Sequence, residues 1–263
     1  MKSLFRNFSR SGVRFLLIGG QATVVYGAAQ FTQDFDLWVE PSPANRDALI
    51  RALARSVARV HKLTPPLTVQ NLRRGHGFHF LIPDQGIVVP LDVMGRPPRV
   101  GAWPAAARRA RVTNTPWGRI PVVSPVDLVN LKRTNRPGDY AVAARLARLV
   151  VRETPRPSPA LLVWAAENTL DVEELASLIQ QHRAAFEAAA KKLPPAARLL
   201  LRARSSTDRS YLRAEAEIHR SLARALRTGR EYWTPILAEL RALRSDGRLL
   251  PEGLEVRSLL PGA

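Results

Sequence analysis

Through the first 150 positions, apolar residues come in short runs broken by turn residues, and beyond them they recur at helical spacing. Residues 13–18 and 34–39 read as strands, the second by strict alternation, with a helix over 21–29 between them. An amphipathic helix over 43–60 directs Leu49, Ile50, Leu53 and Val57 inward. Strands are expected over 67–72, 78–82 and 87–94, the last two joined by the turn Pro83-Asp84-Gln85-Gly86. A second hairpin, 111–114 with 119–123, closes around Pro116-Trp117-Gly118, and helices follow over 125–133 and 140–152.

Three alternating prolines in Glu153-Thr154-Pro155-Arg156-Pro157-Ser158-Pro159 disfavour regular structure and mark a boundary. Beyond it, helical periodicity covers 172–190, 196–203, 209–227 and 232–243. The class expected is α/β (α+β): a mixed sheet flanked by helices over residues 1–153, then an all-helical C-terminal domain over 158–263.

Composition narrows the chemistry. The 263 residues contain no cysteine, which excludes disulfides, thiolate metal sites and a cysteine nucleophile. The formal net charge is +18. Residues 1–154 hold 23 basic and 9 acidic side chains, a balance of +14, whereas residues 155–263 hold 17 and 13, a balance of +4. Such a surface attracts a triphosphate and a polyanion such as RNA. Arginine outnumbers lysine 35 to 5 in a chain rich in Ala, Leu and Pro, so GC-rich coding is a second source of the same charge. In the last third, Arg209, Arg213, Arg220, Arg224 and Arg227 fall near one helix face, which Glu217 interrupts; this reads as a solvated face before it reads as a grip on phosphates. No apolar run approaches the ~18 residues of a membrane span. The basic, acid-free start has the composition of a transit peptide, but cleavage beyond it would cut into the first strand, so a cytoplasmic, soluble protein with no membrane partner is expected.

Against that background three acids stand out. Alternation places Asp34 and Asp36 on one strand face with Trp38 and Glu40, and Phe35, Leu37 and Val39 on the other. At about 5 Å and an effective dielectric of about 20, two carboxylates repel by about 3 kcal/mol. A divalent cation converts that repulsion into coordination; the plain alternative is a strand end with solvated acids. Asp92 is the lone charge in the apolar run 87–94, and a buried carboxylate costs several kcal/mol unless paired or metal-bound. On a neighbouring strand it would share the same ion.

The succession of apolar strand, Gly19-Gly20, helix, Gly27, Thr32-x-Asp34-x-Asp36 and a later strand bearing Asp92 resembles the nucleotidyltransferase superfamily of DNA polymerase β type. Within it, the chain is most similar to small prokaryotic proteins grouped with AbiEii-type toxins and minimal nucleotidyltransferases. The block 120–132 with its Ser124-Pro125 turn and Lys132, followed by Arg136-Pro137-Gly138-Asp139, extends the resemblance, which covers residues 13–150. The resemblance implies a nucleotidyltransferase fold and Mg²⁺-dependent transfer of a nucleoside monophosphate from an NTP to an acceptor hydroxyl. It implies catalytic and metal-ligating roles for Asp34, Asp36 and Asp92 around one or two Mg²⁺ ions, with Mn²⁺ as a substitute. Gly19, Gly20, Gln21, Thr32, Lys132 and Asp139 would contact the nucleotide. Gln21 stands where relatives often have Ser or Thr, and Gln30 where they often have Arg, so phosphate contacts would rest on backbone N–H groups. The acceptor implied is RNA, tRNA included, or protein, and one setting is the toxin of a toxin–antitoxin system with an antitoxin partner. A catalytically silent nucleotide- or RNA-binding module is the alternative from another class. The spacing of Arg213 and His219 also fits the signature of helical HEPN ribonucleases, but so does that of Arg74 and His79 in an arginine-rich chain.

Overall fold

The computed structural model describes residues 1–260. It is a mixed α/β structure, with a seven-stranded mixed sheet, flanking helices and a helical C-terminal region. Its first elements are α1 (Lys2–Ser11), β1 (Phe15–Ile18), α2 (Gly19–Val25), β2 (Phe35–Val39) and α3 (Pro43–Arg55). Then come β3 (Arg59–Val60), α4 (Val69–Arg74), β4 (Gly77–Asp84), β5 (Ile87–Met94), α5 (Trp103–Arg109), β6 (Arg111–Thr115) and β7 (Gly118–Val122). The remainder is helical: α6 (Pro125–Leu131), α7 (Gly138–Arg152), α8 (Pro159–Asn168), α9 (Val172–Gln181), α10 (Arg183–Ala188), α11 (Pro195–Arg202) and α12 (Arg209–Ser245).

The chain forms two compact units, residues 1–127 with 232–260 and residues 128–231. The divisions fall inside α6 and α12, whereas the proline-rich segment 153–159, where the boundary is expected from sequence, lies within the second unit and separates α7 from α8. Near the second division stands Pro235, inside α12. Proline has no N–H to give the carbonyl four residues earlier, that of Glu231.

In the first unit the strand order is β3-β4-β5-β2-β1-β7-β6. β1 runs parallel to β7 and β2 parallel to β5, and the other neighbours are antiparallel. Alternation along β2 sends Phe35 to the face covered by α1, where Phe5 meets Phe15, Phe35 and Trp117 at ring separations of 5.7, 5.8 and 6.2 Å. Leu4, Phe5 and Phe8 are buried there, and Gly12 ends α1 in the left-handed region. The basic start is therefore a core helix, an element that its short apolar spacing did not announce.

Three expectations about single elements are corrected. Residues 67–72 do not form a strand: Thr68 accepts the Asn71 N–H at 3.1 Å, the Asn71 amide donates to the Pro66 carbonyl at 2.9 Å, and α4 runs from there to a left-handed Gly75. The helix expected over 43–60 ends at Arg55, because Val57 turns to φ +52° and Arg59–Val60 pairs instead with β4. In the second unit, α7 buries Tyr140, Ala143, Leu146 and Ala147 and packs on α8 and α9. Ser158 and Asp171 cap α8 and α9 by accepting backbone N–H groups three residues on. His182 interrupts the helix expected over 172–190, separating α9 from α10.

Candidate active site

Four adjoining strands carry one row of residues at a single level: His79 on β4, Asp92 on β5, Asp36 on β2 and Ile18 on β1. Register partners point to the same face. Asp36 and Asp92 are therefore neighbours across about 4.8 Å of sheet, as the sequence leads one to expect.

Their carboxylates are held from opposite sides. Asp36 lies against the turn that leads from β1 into α2, where the Gly20 N–H donates to its Oδ2 at 3.3 Å. A Cβ at Gly19 would stand 1.8 Å from that oxygen, and Gly19 has φ +65°, so both space and backbone conformation demand glycine. Gly20 is required for a different contact: a Cβ there would meet the Thr32 hydroxyl at 2.5 Å. Asp92 turns the other way, with Oδ1 2.7 Å from His79 Nδ1. Asp34 precedes β2 and is exposed. Among the described residues, no three His, Asp or Glu side chains gather closely enough to hold a metal ion. The register thus pairs Asp36 with Asp92, while Asp34 lies outside the strand and the two paired carboxylates engage opposite neighbours.

The other expected residues fall in two places. Gln21 is buried, and its side-chain amide donates to the Thr32 carbonyl at 3.1 Å, which ties the loop before β2 to α2. Thr23 caps the same turn by donating to the Gly20 carbonyl at 2.6 Å. Lys132 and Asp139 belong to the second unit, where Lys132 Nζ lies 3.1 Å from Asp139 Oδ1. Asp139 Oδ2 also accepts from the Thr134 hydroxyl at 2.5 Å and from Arg136 Nε at 3.1 Å. The Ser124-Pro125 turn is a helix cap: Ser124 accepts the Asp127 N–H at 3.1 Å and donates to Asp127 Oδ2 at 2.8 Å. Arg109 closes on the same buried carboxylate with two bonds of 2.7 and 3.0 Å, and that hydrogen bonding pushes the guanidinium pKa further up.

His79 is the residue that sequence reasoning missed. The turn expected over 83–86 closes in the structure on Gln85 and Gly86 alone, both with positive φ, and this two-residue loop pairs Asp84 with Ile87 and, counting back, His79 with Asp92.

The carboxylate oxygens of Asp36 and Asp92, on adjacent strands, are of the donor type that suits a hard divalent cation such as Mg²⁺ or Mn²⁺. Compared with known proteins, the chain matches no protein-family model and no curated protein.

Proposed function

We propose that this chain is a metal-dependent nucleotidyltransferase that passes a nucleoside monophosphate from an NTP to an acceptor hydroxyl. The observation that carries the reading is the seating of Asp36 against Gly19-Gly20 with Asp92 in register beside it. Asp36 and Asp92 would hold Mg²⁺, with Mn²⁺ as a substitute, and Asp34 at the entrance of β2 would add a third carboxylate. The bound cation supplies charge neutralisation on the phosphates and on the leaving pyrophosphate. Gly19 and Gly20, without side chains, make room for Asp36 and Thr32 against the turn. Asp92 takes the proton of the acceptor hydroxyl, and His79 orients it by holding Oδ1. The basic balance of residues 1–154 favours RNA, tRNA included, over protein as acceptor. One setting for such a transferase is the toxin of a toxin–antitoxin pair.

The test is incubation with each labelled NTP and Mg²⁺ against total RNA and total protein. The expected result is label on one acceptor with pyrophosphate released, lost on Asp36→Asn and on Asp92→Asn. A second reading, a silent nucleotide- or RNA-binding module, is favoured by the commitment of Asp92 to His79. Mg²⁺-dependent NTP binding without any pyrophosphate release would select it.

A further inference from the structure

A cavity of about 750 Å³ opens in the first unit at the ends of β2 and β5 and is lined by Trp38, Glu40, Arg73, Gly95, Arg96 and Trp103, among others. Its size is that of a small-ligand site. The charges around it do not cancel. Glu40, the carboxylate of the lining, is already matched by Arg14 at 2.7 Å. Arg73 donates through Nε to the Pro41 carbonyl at 3.2 Å, which fixes its stem and leaves its charge unmatched by any acid of the lining. Arg96, also an exposed residue, lines the cavity as well. Two arginines on one cavity wall are suited to a phosphate or carboxylate.

The two tryptophans supply a second, independent observation. They pack edge to face at 5.6 Å, and Trp38 donates its indole N–H to the Gly95 carbonyl at 3.1 Å. Trp103 is 6 % exposed, and its indole nitrogen is buried with no acceptor among the described residues. Buried donors are seldom left unpaired, and Trp103 forms part of the cavity wall. An anionic group for the arginines, an acceptor for Trp103 and an apolar body for Pro41, Val100 and Pro104 describe one molecule.

We infer that this cavity binds a phosphate ester of mononucleotide size, free or as the end of a nucleic-acid strand. Trp38 follows Asp36 on the same face of β2 by about 6.6 Å, so a ligand here lies alongside the acid row. Its service as the acceptor subsite rests on the transferase reading; the binding itself does not.

The test is calorimetric titration of AMP into the full chain in EDTA, where no metal contributes. Saturable binding is expected, weakened at least about tenfold by Arg73→Ala with Arg96→Ala and about fivefold by Trp103→Phe. Both arginines are exposed, so circular dichroism of the double variant should match that of the parent. Adenosine should bind far more weakly than AMP. A 5′-phosphorylated trinucleotide that binds more tightly than AMP identifies a strand end, and equal affinity identifies the free ester. Absence of AMP binding at millimolar concentration, adenosine binding equal to AMP, or an unaltered double variant would overturn the inference. Failure of the transferase reading shows instead in the labelled-NTP assay, which uses Mg²⁺ and a different readout.

Discussion

Asp139 in the second unit and Asp36 on the sheet are both acids of the recognisable motif region, yet their surroundings differ in kind. Asp139 is enclosed by Lys132, Arg136 and the Thr134 hydroxyl, a set that neutralises it twice over. Asp36 is met by a backbone N–H from a turn that steric crowding restricts to glycine, with a second carboxylate on the next strand. A carboxylate surrounded by cations stabilises the loop that carries it. One set in register beside another carboxylate on the next strand is instead a candidate for binding a cation.

The sharpest way to break this contrast is to neutralise each acid in turn. Asp36→Asn should lower nucleotide transfer by at least about 100-fold with an unchanged urea midpoint. Asp139→Asn should cost about 1–3 kcal/mol of stability, with transfer per folded molecule retained. The reverse pattern would show that Lys132 and Asp139 carry the chemistry.

Gly19→Ala tests whether the turn is shaped around Asp36. Its Cβ meets a carboxylate oxygen at φ +65°, so a loss of about 2–3 kcal/mol is expected in urea unfolding. Gly12→Ala, at φ +71° with open space around it, should lose only about 1 kcal/mol. Equal losses would mean that conformation alone matters at Gly19.

His79 refines the same comparison. If it orients Asp92, His79→Leu should weaken Mn²⁺ binding, measured by calorimetry, and kcat by about 10- to 100-fold. His79→Asn, whose amide N–H replaces the Nδ1 donor, should restore most of both. Loss in both variants alike would leave His79 a purely packing residue.

The smallest effect is expected at a surface carboxylate. Arg220 foremost, with Arg224, holds the Glu217 carboxyl below its ordinary value. A depressed folded value stabilises above the unfolded value of about 4.3, and the gain disappears as pH falls through the folded value. Glu217→Gln should therefore lose a few tenths of a kcal/mol at pH 6, and the gap to the parent should close near pH 3.

Much of this was legible because it is local. Alternation located β2, and the lone acid in an apolar run located β5 and Asp92. Gly19-Gly20 announced a turn that its own crowding explains. The helix α4 was misread because the run from Leu67 to Leu72 is short and apolar, and such runs suit either state until a cap decides. Thr68 and Gly75 were that decision. The basic charge of the start hid α1, whose three buried residues acquire meaning only from Phe15, Phe35 and Trp117.

Residue order alone located β1, β2, β5 and the glycine turn, because alternation and turn residues are local signals; the pairing of His79 with Asp92 followed only once the loop closed on Gln85 and Gly86. Only the tertiary structure decided that β5 lies beside β2, that Asp36 leans toward the glycines and Asp92 toward His79, and that Asp34 stands outside. Those outcomes depend on which strands meet and which way each side chain finds space, and both are settled by packing between segments far apart in the chain.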